Sequence, residues 1–452
     1  MSGLTAALAA FVHQPGWPQT LPDEAVRIIK TGFADTLATL VAGRDEPVVK
    51  IARQFVAARH PAAGTSSVLL GRERLNAADA ALINGTAGHA LDFDDVALGG
   101  HPSTVLVPAV LAAAEEVNAS GAELLRAYLV GYEVWAELFS RETDAYHLKG
   151  WHPTAVLGTV GACAAAAYLH RLPLAQIEHA LALSASMASG LVANFGTMTK
   201  PLHAGRAAAC GLEAVQFAKL GLTAAPDVFE HHAGYLAALS PRGHADRTSP
   251  CPQLGSTLRI LDYGLSIKKY PTCYATHRVI DGVLDLKRAH GVEASRVKAI
   301  RARIGVAQAS MLRNHAPVTG LEAKFSLEFA VASALVHGRV GLNELTDSVV
   351  NEVPIRALMQ RLDISTDDSR CSVEPIFAMN VRVQLELDDG RVLDSGDIRF
   401  ARGNAKLILS EQEMRTKFMD CTQRQSDIDR EALWGHVSLL EQVSSARALA
   451  AP

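Results

Sequence analysis

Cysteine is scarce. The chain has six in 452 residues, at 163, 210, 251, 273, 371 and 421, with no CxxC pair. That is too few for a disulfide scaffold and points to a reducing cytoplasm. Charge of one sign is also missing: Lys plus Arg is 43 against 47 Asp plus Glu, a net charge of −4. A broad electrostatic footprint for nucleic acid or anionic lipid is thereby excluded, while a local anion pocket is not. Aromatic residues are only 6%, thin for a cavity that must cradle carbocations. The first residues lack a basic segment and a long apolar core, so no secretory signal is expected. There is no internal repeat and no low-complexity tract. Two stretches, Pro153 to Leu169 and Ala180 to Thr199, carry no charge, but Ala, Gly, Ser, Thr and Asn give them poor transfer energy into lipid. Both are expected to be interior helices of a large bundle.

What is present is a globular composition, 49% hydrophobic and 20% charged, long enough for two to three domains. From Leu21 to Gly43 the apolar positions Val26, Ile29, Phe33, Leu37 and Leu40 follow helical spacing, between Pro22 and Gly43. Ser120 and Glu123 form a capping-box signal ahead of another apolar-periodic run. This helical texture continues to about residue 235 and changes after Ser240 to Gly255. Beyond it Ile300, Ala302 and Ile304 alternate with Arg301 and Arg303, and Val381, Val383, Leu385 and Leu387 alternate with polar residues. These are strands with one buried face, the second entering an Asp388-Asp389-Gly390 turn and returning through Val392. A helix from Phe325 to His337, closed by Gly338, lies between them. The expected fold is mainly α: an all-α domain over 1–261, an α+β domain over 262–401, and a helical return over 402–452.

Four polar clusters interrupt the apolar texture. The first is His89-Ala-Leu-Asp92-Phe-Asp94-Asp95 with His101-Pro-Ser103. A helix through Gly88 to Val96 would set His89, Asp92 and Asp95 on one face, a group suited to proton transfer or a divalent cation. The same residues match the D-x-D-D acid of alkene-protonating cyclases, a match of four residues that the low aromatic content opposes. The second is Tyr146-His147-Leu-Lys149-Gly-Trp151-His152, where His152 opens a buried helix. Its histidines straddle a glycine and lack a third ligand, so they suit proton carriage better than a metal. The third is Thr197-Met-Thr199-Lys200-Pro201-Leu-His203-Ala-Gly205-Arg206. A lysine ending an uncharged run is expected to be partly desolvated and hence a usable base. Pro201 and Gly205 predict a shaped turn here. No Gly-rich phosphate cradle accompanies Lys200, which opposes a pyridoxal phosphate site. The fourth is Lys268-Lys269-Tyr270-Pro271-Thr272-Cys273-Tyr274, basic enough to receive carboxylates of a small anion.

The strings GHALDFDDV, HPSTVLVPA, GWHPTAVLGTVGA, TKPLHAGRAA and KKYPTCYATH, in that order, resemble the MmgE/PrpD family, over nearly the whole chain. That family includes 2-methylcitrate dehydratase, cis-aconitate decarboxylase and iminodisuccinate epimerase. The resemblance implies a large all-α domain, a smaller α+β lid domain, a homodimer, and a cofactor-free, metal-free site between the domains for small di- or tricarboxylates. Matched to the decarboxylase-like members, the site residues correspond to Asp92, His101, His152 and Lys200. Val96 stands where that subgroup carries threonine, and Cys273 where it carries histidine. TMTKPLHAG and CYATH are similar instead to the epimerase branch, in which a tyrosine five residues before the GWHPT histidine faces the lysine. His147 holds that position here, beside Tyr146.

These readings converge on an enzyme that moves a proton next to a carboxylate. Lys200, His152 and His147 are the expected proton carriers, and Lys268, Lys269, Arg206 and His101 the expected carboxylate partners, with Tyr146 and Cys273 at the substrate. Epimerisation of an iminodisuccinate-like substrate is the leading expectation, and a dehydratase or decarboxylase the alternative. A non-catalytic, anion-binding helical dimer is the competing class, in which the clusters would not converge.

Overall fold

A computed structural model describes residues 3–14, 17, 18, 20–60, 63–374 and 376–450. Of the chain 54% is helical and 9% strand, so the fold is mainly α as the periodicity implied. It divides into two compact units, one of residues 1–266 with 410–452 and one of residues 267–409. No helix among the described residues is long and apolar enough to cross a membrane.

The first unit is a helical bundle. Its main members are α1 (Asp23–Gly43), α2 (Ala77–His89), α3 (Ser103–Val117), α4 (Gly121–Ser140), α5 (Pro153–Leu169), α6 (Leu174–Met187) and α7 (Thr199–Lys219). Helix α5 is buried almost throughout, which requires small residues, since its neighbours approach from every side. A Cβ on Gly161 would lie 3.0 Å from Gly131 O of α4. Helix α4 begins at the expected capping box, Ser120 and Glu123 each satisfying the other's backbone N–H.

Two expectations need correction here. The uncharged run from Ala180 to Thr199 is not one helix: α6 ends at Met187, and a loop leads to α7. Nor is there a turn at Pro201 and Gly205. Pro201 falls in the first turn of α7, where no intrahelical N–H is needed. Gly205 is the crossing point of α7 with α2. A Cβ on Gly85 would meet Gly205 Cα at 2.8 Å, and one on Gly205 would overlap Leu82 O and Thr86. These glycines let two backbones touch.

The second unit carries α8 (His277–His290), α9 (Leu327–His337) and strands β1 (Val297–Gly305), β2 (Leu362–Asp367), β3 (Arg382–Leu387) and β4 (Val392–Asp394), in sheet order β2-β1-β3-β4. β1 pairs parallel with β2, Ile300 opposite Leu362, and antiparallel with β3, Ala302 opposite Val383. Ile300, Ala302 and Ile304 are buried with Val383, Leu385 and Leu387 in one core with Phe329 and Leu335 of α9, as the period-2 alternation predicted. Gly390 turns the β3–β4 hairpin at a φ of +85°, a left-handed conformation that favours glycine. After residue 409 the chain rejoins the first unit through α10 (Glu411–Thr422), which packs on α1.

Candidate active site

The α2–α7 crossing positions the chemistry. His89 lies one turn beyond Gly85, and Lys200 begins the helix that carries Gly205, so a helix end and a helix start meet. Lys200 Nζ donates to Asp92 Oδ1 at 2.6 Å and sits 3.0 Å from His89 Nε2. Helix α2 stops at His89 rather than running on to Val96, and Asp92 takes a left-handed φ of +53°. That break changes the partners. His89 faces Asp94, with Nδ1 2.9 Å from both carboxylate oxygens, where a continuous helix would have offered Asp95. Asp95 turns inward instead, accepting from Ser103 Oγ at 2.7 Å, and Ser103 Oγ in turn lies 2.7 Å from Tyr128 Oη.

The bonds to His89 fix its tautomer. Nδ1–H donates to Asp94, which leaves the Nε2 lone pair to accept from Lys200. Burial holds the His89 imidazole down to about 4, with Asp94 opposing and the charges of Lys200 and His101 assisting. Asp94 is fully buried, which alone would raise it, yet His89 and His101 hold its carboxyl well below the usual range. His101 Nδ1 lies 3.0 Å from Asp94 Oδ2, so one carboxylate orients two rings, whose centroids are 4.5 Å apart.

His152 is the N-cap residue of α5, buried, its ring stacked 6.2 Å from that of His89. Burial, then Lys200, His89, His101 and His203, push it well below its ordinary value. His147 stands in a short 3-10 turn over Tyr146–Lys149 and is lowered to about 4 by burial, His101 and Lys200. Phe195 closes the group: its ring is 4.8 Å from that of His152, 6.1 Å from that of His147, and 5.5 Å from Lys200 Nζ. Asp92, His101, His147, His152 and Lys200 thus come together in one unit. A chain of scattered, unconnected polar clusters, the mark of the non-catalytic class, is not what is found.

Two expected substrate partners do not join them. Arg206 is six residues past Lys200, about 240° around the helix; it is exposed and pairs with Glu213 at 3.5 Å. Tyr146 is buried with Oη donating to Leu138 O at 3.3 Å, so its hydroxyl is committed to backbone. Lys268, Lys269 and Cys273 belong to the second unit, Lys268 and Cys273 both buried and the Cys273 N–H donating to Lys324 O at 2.8 Å. Sequence reasoning assigned no role to Asp94, His203 or Phe195. The spacing of His203 three residues after Lys200 was a readable signal, since both then share a helix face; the Asp94 partnership was hidden by the helix break.

Donor atoms of His89, Asp92, Asp94 and His101 lie within 4.8 Å of one another, close enough to share a divalent cation. Lys200 Nζ already rests against two of the four residues, so a metal there would have to displace the ammonium. The arrangement is better suited to proton transfer: a cation, an orienting carboxylate and several neutral imidazoles in a buried setting.

Comparison with known proteins gives the same direction. The model of the MmgE/PrpD N-terminal domain matches residues 6–248, and that of the MmgE/PrpD C-terminal domain residues 270–437. Cis-aconitate decarboxylase of Mus musculus is 29% identical over 435 residues, covering 92% of this chain and 86% of that one. The Homo sapiens cis-aconitate decarboxylase is 29% identical over 415 residues, covering 88% and 83%. A cis-aconitate decarboxylase of Aspergillus terreus is 24% identical over 351 residues, covering 72% and 71%.

Proposed function

Since the chain belongs to the MmgE/PrpD family, we propose that it is a lyase that decarboxylates a small tricarboxylate of the cis-aconitate type, working without a cofactor, as a homodimer in the cytoplasm. The observation that carries this reading is the Lys200 ammonium held between Asp92 and His89, with the imidazoles of His101 and His152 beside it. The relatives named for that reaction support it over epimerisation.

The chemistry follows from the substrate class. Loss of CO2 from a carboxylated carbon next to an alkene sends the electron pair through the double bond onto the carbon beside a second carboxylate. That carbon, now negative and conjugated to its carboxylate, takes up one proton. A fixed cation at the site of developing charge lowers the barrier, and exclusion of water strengthens it. Lys200 supplies the cation, and the proton comes from His101 or His152. Asp94, 3.0 Å from His101 Nδ1, orients that ring, which must carry a proton on each nitrogen if it is to give one to the carbon and keep the other toward Asp94.

The second reading is epimerisation of an iminodisuccinate-like substrate. It is favoured by His147, whose half-buried ring feels both His101 and Lys200 and so offers a second proton carrier. Proton NMR in deuterated buffer with cis-aconitate, 2-methylcitrate and iminodisuccinate separates the two. Decarboxylation releases CO2 and leaves one deuterium on the new methylene. Deuterium at an α-carbon with the skeleton unchanged would instead establish the epimerase, a new alkene with all carboxylates retained would establish a dehydratase, and silence across the panel would refute all three.

A further inference from the structure

A buried contact that the proposed reaction does not yet use joins two imidazoles. His152 Nδ1 lies 3.1 Å from His203 Nδ1. His152 belongs to α5 and His203 to α7, one turn beyond Lys200. The contact is built into the backbone: His152 N–H donates to Gly190 O at 3.0 Å, and a Cβ on Gly190 would stand 2.5 Å from Ala155 Cβ and 3.3 Å from the His203 ring. A side chain at 190 would press on Ala155 and on the His203 ring.

Two neutral imidazoles meeting nitrogen to nitrogen hold a single proton between them, because each nitrogen is either a donor or an acceptor. Both rings are neutral near pH 7. Burial, then Lys200, His89, His101 and His203, lower His152, and burial with Lys200 lowers His203, which also faces His152. Their tautomers are therefore locked in opposition. When His203 holds the shared proton, His152 must carry its own on Nε2; when His152 holds it, Nε2 is a bare base. Nε2 of His152 makes no hydrogen bond to the described residues. Of the two, His203 is the less deeply buried, 8% exposed against 1%.

We propose that His203 is a relay and positioning residue, which holds His152 in its Nε2–H form and refills it with a proton through Nδ1 during turnover. The proposal rests on the decarboxylation reading. A neutral imidazole cannot give up its Nε2 proton alone without becoming an imidazolate. In the relay the His152 Nε2–H bond breaks as the proton goes to the carbanion. The His203 Nδ1–H bond breaks as that proton passes to His152 Nδ1, and His203 Nε2 takes one proton from solvent. One proton enters and one reaches the substrate, so both rings end neutral with their tautomers reversed. Ring flips or solvent exchange reset the pair.

The test has one arm without substrate and one with it. In 15N-histidine-labelled protein, long-range 1H–15N spectra report the tautomer of His152. The wild type is expected as Nε2–H, and His203→Phe as a mixture or Nδ1–H. An Nδ1–H form in the wild type, or no change in the variant, overturns the proposal whatever the reaction proves to be. His203→Gln separates holding from relaying: its amide N–H still donates to His152 Nδ1 but has no second nitrogen to refill. The expected result is an Nε2–H tautomer kept in His203→Gln, kcat reduced about 10- to 100-fold in both variants, and KM within twofold of wild type. Full kcat in His203→Gln would refute the relay. Failure of the wild type to turn over any tricarboxylate would refute the decarboxylation reading while leaving the tautomer result standing.

Discussion

At the residue scale the site is a contest over where protons and charge sit. Lys200 places its ammonium against both a carboxylate and an imidazole of the cluster, which suits it to meet charge building on the substrate. Lys200→Ala is expected to lower kcat by at least about 10³-fold, with the far-ultraviolet circular dichroism and the melting temperature close to wild type. Normal turnover in that variant would remove the lysine from the mechanism. The residue types were legible in the sequence because charged and imidazole groups inside uncharged runs require a reason to be there. Which of them touch was not. His89 pairs with Asp94 rather than sharing a face with Asp95 because α2 ends at His89, before any of the three carboxylates, and Asp92 turns into the left-handed region. Five residues apart is no helical spacing, and no periodicity could announce it. His203 was legible, three residues from Lys200, but its partner is 51 positions away on another helix.

Elements set the distances that those residues need. Gly85 and Gly205 bring α2 and α7 into backbone contact, and His89 and Lys200 lie at the near ends of the two helices. Gly205→Ala puts a methyl group against Leu82 O and Thr86, neither of which is a flexible side-chain tip. Overpacking of this kind costs about 1–3 kcal/mol, and the separation it forces opens the Lys200–His89 contact. The variant should melt several degrees lower and lose most of its turnover; unchanged values of both would show that the crossing has slack. A second element-scale device is Glu133 of α4, whose buried carboxylate accepts from the backbone N–H groups of Arg259 and Ile260 at 2.9 and 3.0 Å. Burial nevertheless raises it to about 7. A carboxyl raised in the folded state binds more protons folded than unfolded between its ordinary value of 4.5 and 7. Its contribution to stability is therefore present below that window and is lost as pH rises through it. Across pH 5 to 8 the loss is about 3 kcal/mol. Glu133→Gln cannot titrate, so the urea-midpoint difference between variant and wild type should move in the variant's favour as pH rises, and a constant difference would refute the assignment. Apolar spacing made the long helices and both hairpin strands readable. It misjudged the α7 start because proline was taken as a breaker, when the first turn is where proline costs nothing.

At the scale of the whole molecule, the chain order is what sequence patterning cannot value. The change from helical to alternating texture shows that a mixed segment interrupts a helical protein, but not why the last 43 residues must return. Lys417 of α10 supplies a reason. Its Nζ lies 2.6 Å from Asp35 Oδ1 of α1, donates to Phe93 O at 2.8 Å, and sits 3.9 Å above the Phe93 ring. Phe93 stands between Asp92 and Asp94, so a residue 324 positions later pins the loop that carries both. Asp35 is wholly buried, and burial raises its carboxyl even with Lys417 opposing. Lys417→Met would leave that carboxylate without its cation, a loss of about 3–5 kcal/mol near neutral pH. Because the raised carboxyl then takes up a proton, the penalty should shrink as pH falls. Adding Asp35→Asn removes the orphaned charge and should recover most of the stability, since neither partner is then ionised. It restores nothing to Phe93 O, which has still lost its donor, so turnover in the double variant should remain well below wild type. Urea midpoints and kcat, measured on both single variants and the double, separate these two duties. Recovery of stability without activity would make the C-terminal return part of the site, and recovery of both would reduce Lys417 to the counterion of Asp35.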